Sequence, residues 1–277
     1  MSIAYYNGKI SAPEAISISP SDRAIYFGDG VYDATIGKGG KVYLLSEHTN
    51  RLLSNAKVLG IPCPCKKDEL DNLISSLCQK SGEDVCFVYF QLTRSSMQRI
   101  HSANGIEKSN LLITVTPCTA PNPDERISLI TYPDKRYLYC NIKTLNLLPS
   151  VLAATQASQR GCDEAVFVRD GIVTECAHSN VSVIKDGILY THPECEKILS
   201  GITRKTLLGE ARKMGIPIRE KPYTLGELYA ADEVIITSST RLARLAKSVD
   251  GIHYEAKNGS IGEILTKKVY FSFVNCT

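Results

Sequence analysis

The stretch Tyr139-Cys140-Asn141-Ile142-Lys143-Thr144-Leu145-Asn146-Leu147-Leu148 places one lysine among apolar residues that predict a buried strand leading into a helix. An ammonium group is costly in such a setting unless it is paired or chemically converted. Formation of an imine with an aldehyde cofactor is one such conversion, and desolvated lysines suit that chemistry. The alternative is a lysine whose aliphatic stem covers apolar surface while its head reaches water. Lys143 is therefore a candidate catalytic residue.

Size and composition exclude several classes of protein. The 277 residues suffice for two modest domains or one large one, and 43% hydrophobic with 22% charged residues are ordinary for a soluble globular enzyme. A net charge of +3 without a basic stripe argues against nucleic-acid binding, and no apolar run approaches the length of a membrane span. The N-terminus lacks the pattern of a signal peptide, so a cytoplasmic location is the default expectation.

The ten cysteines are scattered along the chain, which is typical of reduced thiols rather than of a disulfide framework. Cys63-Pro64-Cys65 is the only close pair in the sequence. Its spacing matches neither a thioredoxin-like motif nor a zinc motif, because no histidine or second cysteine pair follows nearby. We therefore expect structural or incidental cysteines and no bound metal.

Three prolines within residues 117–123 divide the chain, because this composition favours an extended linker over a helix or strand. The predicted organisation is a small N-terminal α/β domain over residues 1–118, a linker over 119–124, and a larger C-terminal cofactor-binding domain over 125–277. Helix-period and strand-period patterns occur in both halves, so the predicted fold class is α/β (α+β mixed). Among the predicted elements are helices over 67–80, 150–160 and 203–214 and strands over 84–93, 110–116, 127–132 and 140–144.

Two hydroxyl-rich segments suit an anion. Ser200-Gly201-Ile202-Thr203 opens a predicted helix, whose free N–H groups and dipole favour a phosphate. A plain serine or threonine cap is the alternative. Thr237-Ser238-Ser239-Thr240 follows a predicted strand and is either a second phosphate-binding turn or a simple loop.

Two charged segments suit a small-molecule site. Val173-Thr174-Glu175 places a carboxylate among apolar strands, where it needs a positive or protonated partner such as a pyridinium nitrogen. A solvent-facing turn is the alternative. Arg99-Ile100-His101 puts a planar guanidinium and an imidazole on one side of an extended segment, a combination that suits a carboxylate. A solvated loop is the alternative.

Five segments together resemble one family. They are Phe27-Gly28-Asp29-Gly30-Val31-Tyr32, Glu47-His48-Thr49-Asn50-Arg51-Leu52, Ile142-Lys143-Thr144-Leu145-Asn146-Leu147-Leu148, Thr174-Glu175 with Ser179-Asn180-Val181, and Gly201-Ile202-Thr203-Arg204. In this order they resemble the class IV, fold-type IV aminotransferases over nearly the whole chain. The resemblance implies a two-domain enzyme with pyridoxal 5'-phosphate in the interdomain cleft. Within the family, Arg99 and His101 with Tyr32 resemble the carboxylate trap of the D-amino acid aminotransferases.

The resemblance also implies a role for each matched residue. Lys143 forms the imine with the cofactor and moves the proton between substrate and cofactor. Glu175 pairs with the pyridine nitrogen and keeps it protonated, so that the ring accepts electrons. The remaining residues bind the phosphate (Arg51, the N–H groups of Ile202 and Thr203, and Ser239), back the ring (Leu199) or hold the substrate α-carboxylate (Tyr32, Arg99 and His101).

The implied reaction transfers an amino group from a D-amino acid of the D-alanine class to a 2-oxo acid such as 2-oxoglutarate, giving pyruvate and D-glutamate. The resemblance implies a homodimer, in which the loop with Arg99 and His101 is a candidate to complete the partner's site. The alternatives are a branched-chain L-amino acid aminotransferase, an aminodeoxychorismate lyase, and a cofactor-binding protein without catalysis. The sequence leaves the preferred side chain of the substrate undetermined. His178 replaces a small hydroxyl residue of related enzymes. Arg241 and Arg244 are either surface charges or recognise acidic substrates.

Overall fold

The computed structural model describes residues 1–255 and 258–276, which form two compact units. Unit 1 comprises residues 1–120, 142–146 and 274–276. Unit 2 comprises residues 121–141, 147–255 and 258–273. Lys143 therefore belongs to unit 1, although the chain on either side of its short segment belongs to unit 2. The mixture of helices and strands confirms the predicted α/β class, while the predicted domain boundaries stay a prediction.

Unit 1 is built on an antiparallel sheet. Its strands are β1 (Ile3–Tyr6), β2 (Lys9–Ser11), β3 (Gly30–Lys38), β4 (Lys41–Val42), β5 (Val85–Arg94) and β6 (Ser109–Pro117), and its helices are α1 (Arg23–Phe27), α2 (Leu45–Leu59) and α3 (Lys67–Ser81). The strand order in the described part of the chain is β2-β1-β6-β5-β3-β4, and every pair is antiparallel.

The alternation of side chains along the strands separates the two faces of this sheet. Val88 and Phe90 share one buried core cluster with Leu52 of α2 and with Ile74 and Leu77 of α3. Burial of one such large apolar side chain stabilises the fold by about 1.5–3 kcal/mol. Because successive residues of a strand point to opposite faces, the face away from this core carries other side chains, among them Tyr32 and Tyr89.

The segment around Lys143 is attached to the start of β3. The N–H of Tyr32 donates to the carbonyl of Lys143 at 3.0 Å, and the N–H of Leu145 donates to the carbonyl of Gly30 at 3.2 Å. The predicted strand over 140–144 is wrong, because pairing here is limited to one isolated bridge between Val31 and Thr144. The N–H of Thr144 instead bonds the carbonyl of Ile142 at 2.8 Å, which turns the chain and prevents a longer ladder.

The remaining elements follow in chain order. They are β7 (Ile127–Pro133), α4 (Leu148–Gln159), β8 (Glu164–Arg169), β9 (Ile172–Cys176), β10 (Asn180–Lys185), β11 (Ile188–Thr191), α5 (Ile202–Lys213), β12 (Ile218–Glu220), β13 (Tyr223–Thr224), α6 (Leu225–Tyr229), β14 (Glu233–Ser238), β15 (Leu242–Val249), β16 (Ile252–His253) and α7 (Ile261–Val274). Their strands form one mixed sheet in the order β12-β11-β10-β14-β15-β7-β8-β9-β13, and β16 pairs with β15. The part of the chain that the structure describes contains no helix able to cross a membrane.

Candidate active site

Lys143 and Tyr32 are brought together in unit 1. The ammonium nitrogen of the half-buried Lys143 lies 4.4 Å from the centroid of the Tyr32 ring. The Tyr32 ring in turn stacks on Tyr89, with centroids 5.5 Å apart. An ammonium over an aromatic face is held by about 0.5–1 kcal/mol at a partly exposed site. Within residues 1–255 and 258–276 this lysine forms no ion pair, so its amine is not committed to a carboxylate.

Arg51 is fixed by a buried carboxylate on β3. Asp33 is fully buried and accepts hydrogen bonds from Nε and Nη2 of Arg51 at 2.7 and 2.8 Å. His48, one turn before Arg51 on α2, places its Nδ1 2.7 Å from Asp33 Oδ1. Burial favours the neutral acid, but the charge of Arg51 and the hydrogen bond with His48 outweigh it and hold the pKa of Asp33 well below its usual range. The ionised carboxylate therefore sets the plane of the guanidinium.

His48 is neutral in this cluster. Burial lowers its pKa, the charges of Arg51 and Lys143 act in the same direction, and the hydrogen bond with Asp33 opposes them. A neutral imidazole beside a carboxylate donates from Nδ1. Its buried Nε2 has no hydrogen-bond partner in the described part of the chain.

Arg99 and His101 lie on an exposed loop after β5, and both contact α1. The guanidinium carbon of Arg99 is 5.3 Å from the centroid of the Phe27 ring, and the His101 ring is 5.2 Å from the same centroid. The structure thus brings these two predicted residues together on one aromatic side chain. Among the described residues, no hydrogen bond or ring contact joins Tyr32 to either of them.

Glu175 and Leu199 are joined in unit 2. Glu175 is buried, and its Oε2 accepts hydrogen bonds from Asn180 Nδ2 at 2.9 Å and from the N–H of Leu199 at 3.0 Å. Its Oε1 accepts a hydrogen bond from Nη1 of Arg136. The buried carboxylate therefore has the positive partner that the sequence requires, but the partner is an arginine that the sequence analysis missed.

Arg136 is itself held rigidly. Asp134 accepts hydrogen bonds from Arg136 Nε and Nη2, both at 2.9 Å, and Arg169 forms a further ion pair with Asp134 at 3.0 Å. Burial alone would raise the pKa of Asp134, but the hydrogen bonds and charge of Arg136, with a hydrogen bond from Arg169, lower it to about 2. The guanidinium carbon also lies 4.4 Å from the centroid of the Phe167 ring. Glu175 is thus positioned through a network of fixed charges.

The start of α5 fits a phosphate group. Gly201 is the N-cap and makes no side-chain capping bond, so the N–H groups of Ile202 and Thr203 face no capping side chain. The buried hydroxyls of Thr203 and Thr237 have no hydrogen-bond partner among the described residues. Free N–H groups and unpaired hydroxyls at a helix N-terminus are the donors that a phosphate binds. Thr237 belongs to the predicted hydroxyl-rich segment 237–240, in which the resemblance assigns the phosphate contact to Ser239 instead.

Ser239, Arg244 and His178 have different surroundings. Ser239 is half-buried in the turn that follows β14. Arg244 is buried and forms an ion pair with Glu125, so it is not a solvated surface charge. His178 is 49% exposed in its side chain and places Nδ1 3.1 Å from the buried Glu164. No such contact was evident from sequence, because both partners of each pair are distant along the chain.

Comparison with known proteins defines the class of this enzyme. The sequence pattern of the family described as Amino-transferase class IV matches residues 30–249, and the chain belongs to this family of pyridoxal-phosphate-dependent aminotransferases. It is 36% identical over 273 residues to the D-alanine aminotransferase of Listeria monocytogenes serotype 4b (strain F2365), covering 97% of this chain and 93% of the relative. It is 35% identical over 248 residues to the D-alanine aminotransferase of Bacillus licheniformis, covering 89% and 88%.

The fold is also that of a solved relative. A crystal structure of a branched-chain aminotransferase from the thermophilic archaeon Thermoproteus uzoniensis with norvaline superimposes with a TM-score of 0.90 at 25% identity. The match covers 97% of this chain and 93% of the other. The fold type predicted from the sequence resemblance is therefore confirmed, as is the dependence on pyridoxal phosphate.

The close contact at Gly201 yields a test of the phosphate site. A Cβ at this position would lie 1.9 Å from Asn180 Oδ1, and the Asn180 amide is held by Glu175 and the carbonyl of Leu199. We expect Gly201→Ala to displace that amide and to weaken binding of pyridoxal phosphate to the apoprotein by at least about tenfold, or ~1.4 kcal/mol. Absorbance titration of the apoprotein measures this affinity.

Gly209→Ala, also on α5, is the matched control. A Cβ at this position would meet no atom within 4 Å outside the neighbouring helix backbone. This variant should bind the cofactor as the wild type does and gain about 0.5–1 kcal/mol of stability from the helix propensity of alanine. Equal cofactor affinity in the two variants would show that α5 does not begin at the phosphate.

Proposed function

We propose that this enzyme transfers the amino group of a D-amino acid of the D-alanine class to a 2-oxo acid such as 2-oxoglutarate, giving pyruvate and D-glutamate. The observation that carries the proposal is the 36% identity, over 97% of the chain, to a D-alanine aminotransferase. The paired placement of Arg99 and His101 on Phe27 supports it, because a planar guanidinium beside an imidazole suits an α-carboxylate. The alternative is a branched-chain aminotransferase, which the similarity in fold to the Thermoproteus uzoniensis enzyme supports.

The cofactor-binding residues are part of the proposal. Lys143 supplies the amine that binds the cofactor covalently and then moves the proton at the substrate Cα. Glu175, held in place by Arg136, keeps a proton on the pyridine nitrogen. The bound cofactor supplies the electron sink for the bond changes at Cα. The other proposed contacts are Arg51, Ile202, Thr203 and Ser239 for the phosphate, and Leu199 for the ring.

Substrate binding is assigned to three residues of unit 1. Tyr32 lies beside Lys143, where the substrate amino group reacts, and its half-buried ring is fixed by stacking on Tyr89. Arg99 and His101 are exposed, so their polar atoms are available to a ligand. We propose that these three side chains bind the α-carboxylate. The buried Arg244 is occupied by Glu125, which argues against its use for an acidic substrate side chain.

A substrate panel tests the reaction. We expect D-alanine with 2-oxoglutarate to give a kcat/KM at least about a hundredfold above that of L-leucine or L-isoleucine. A site that fixes the substrate carboxylate on one side of Cα can discriminate between enantiomers by several kcal/mol. Chiral chromatography of the amino acid products provides the measurement. Faster turnover of L-leucine would establish the branched-chain alternative, and pyruvate release from aminodeoxychorismate without an acceptor would establish the lyase.

Lys143→Ala tests the catalytic amine. Loss of covalent attachment and of the proton carrier should reduce turnover by at least about 10³-fold. After borohydride reduction, mass spectrometry should find the cofactor on Lys143 of the wild type and no adduct in the variant. The exposed Lys205, next to the buried Arg204 on α5, offers the control Lys205→Ala, which should retain both adduct and turnover. Normal turnover of Lys143→Ala would remove this residue from the mechanism.

A homodimer is also proposed. Leu148, Val151 and Leu152 form one apolar face at the start of α4 and are 68%, 55% and 53% exposed. Exposed apolar clusters mark interaction surfaces. Sedimentation velocity should give twice the monomer mass for the wild type and a monomer for Leu152→Glu. Val58→Glu, at an isolated residue that is 69% exposed, should remain dimeric. A monomeric wild type would contradict the proposal.

A cytoplasmic location completes the proposal. The buried thiols of Cys78 and Cys86 are both free with their sulfur atoms 3.5 Å apart, which suits a reducing compartment. Cell fractionation is the direct check.

A further inference from the structure

Arg23 is a buried cation that the proposed reaction does not use. It is the first residue of α1 and is 4% exposed. A buried guanidinium is costly unless its charge is balanced and its N–H groups are bonded. Asp29 balances the charge, with its Oδ2 2.7 Å from Arg23 Nε. The other two nitrogens bind backbone oxygens: Nη1 donates to the carbonyl of Ile100, and Nη2 donates to the carbonyl of His101 at 3.0 Å.

These two carbonyls belong to the Arg99 loop, defined as residues 95–101 after β5. They are consecutive and lie immediately after Arg99, so one guanidinium fixes the backbone at the point from which both candidate carboxylate-binding side chains extend. Most of this loop is neither helix nor ladder-paired strand, and its backbone therefore depends on such outside partners. Met97 adds one more attachment, since its N–H donates to the carbonyl of Ser21 at 3.1 Å.

Phe27 connects the same helix to the two side chains. It lies four residues after Arg23, on the same face of α1, and the guanidinium carbon of Arg23 is 4.7 Å from its ring centroid. Arg99 and His101 contact this ring at 5.3 and 5.2 Å. The ring therefore contacts both the buried cation and the two exposed groups.

The helix that carries these contacts is itself anchored to the sheet. Asp22 caps α1, and its Oδ2 accepts hydrogen bonds from Thr93 Oγ1 at 2.8 Å and from Asn110 Nδ2 at 2.7 Å. Asp29 is shared with a second guanidinium, that of Arg94, at 3.0 Å. One carboxylate thus ties Arg23 of α1 to Arg94 at the end of β5.

We infer that Arg23 is a positioning residue for substrate recognition: together with Phe27 it holds the Arg99 loop so that Arg99 and His101 present their donors to the substrate α-carboxylate. The inference rests on the proposed function, which assigns the carboxylate to these two side chains. It adds that the recognition residues are set from α1, and that substrate affinity depends on a side chain that does not touch substrate.

The experiment compares Arg23→Lys with Arg94→Lys. Both changes keep the positive charge beside Asp29 and remove the planar fork. Arg94 is also buried, but its other donors bind the carbonyls of Gly60 and Leu59 rather than the Arg99 loop, so it controls for a general loss of packing. Phe27→Leu is the second variant, because it keeps an apolar side chain and removes the ring that contacts Arg99 and His101.

Hydrogen exchange of the apoprotein gives a measurement that needs neither cofactor nor turnover. In Arg23→Lys we expect the peptide that covers residues 95–101 to exchange about tenfold faster. The amides of Met97 and Ile100 are protected by backbone hydrogen bonds that require the loop to stay in place. The loop in Arg94→Lys should exchange as in the wild type. Unchanged loop exchange in Arg23→Lys would overturn the anchoring.

Steady-state kinetics of the holoenzyme test the role in recognition. For Arg23→Lys and Phe27→Leu we expect KM for D-alanine to rise about tenfold with kcat within about twofold, as loss of uniform binding requires. Arg94→Lys should leave KM within about twofold. An unchanged KM in Arg23→Lys, with the wild type active, would overturn the recognition role. A wild type inactive towards all D-amino acids would refute the proposed function instead, and loop exchange would still decide whether Arg23 anchors the loop.

Discussion

Two backbone hydrogen bonds between the Lys143 segment and the start of β3 are the constraint on which the arrangement of unit 1 depends. They tie Lys143 to Tyr32 and Leu145 to Gly30. This close approach requires glycine at position 30, because a Cβ there would lie 2.7 Å from Leu145 Cδ1 and 2.8 Å from the carbonyl of Leu92. The Gly28-Asp29-Gly30 turn is therefore more than a chain reversal. It allows the close approach of residues 142–146, and the Asp29 carboxylate between its glycines forms ion pairs with both Arg23 and Arg94.

The same kind of contact recurs at two other arginines: a buried or half-buried aspartate fixes the guanidinium in one plane. Asp33 holds Arg51, and Asp134 holds Arg136. Burial of ion pairs is a poor source of stability, since desolvation offsets much of the attraction. The pairs are better explained by what they position. An aspartate bound to one edge of a guanidinium fixes the direction in which its other N–H groups point. In Arg136, whose guanidinium is held by Asp134, those groups orient the Glu175 carboxylate.

The elements that could be predicted from sequence are those with local signals. Helix α3, predicted over 67–80, is observed over Lys67–Ser81, because its apolar residues repeat at the helix period. Helix α7 was missed although Leu265, Val269 and Phe273 are spaced four residues apart and buried. The strand predicted over 140–144 failed for a non-local reason: whether an apolar segment pairs along its length depends on the strand it meets, and the chain turns after one bridge.

The residues of the candidate site also differ in whether a local sequence pattern reveals them. Lys143, Glu175 and the start of α5 carry patterns that the resemblance made recognisable. Arg136 does not, because Asp134-Lys135-Arg136 is indistinguishable in sequence from a solvated charged turn, and its bond to Glu175 spans 39 residues. Arg23 was missed for the same reason, since its partners lie 77 and 78 residues away. Residues that position others are defined by distant contacts, which a single sequence does not encode locally.

The fold alone does not decide between D- and L-amino acid substrates. The structural match at a TM-score of 0.90 is to a branched-chain aminotransferase, whereas the sequence relatives at 36% and 35% identity are D-alanine aminotransferases. One scaffold thus accommodates both classes, and the difference must lie in the side chains that meet the substrate. Loops on a rigid scaffold are where such differences concentrate. The Arg99 loop meets this requirement, because its backbone is fixed by a buried charge while the side chains of Arg99 and His101 stay exposed. Under the proposed function, a carboxylate trap that is rigid in position and accessible to ligand selects an enantiomer, because it determines which face of Cα is presented to the catalytic amine.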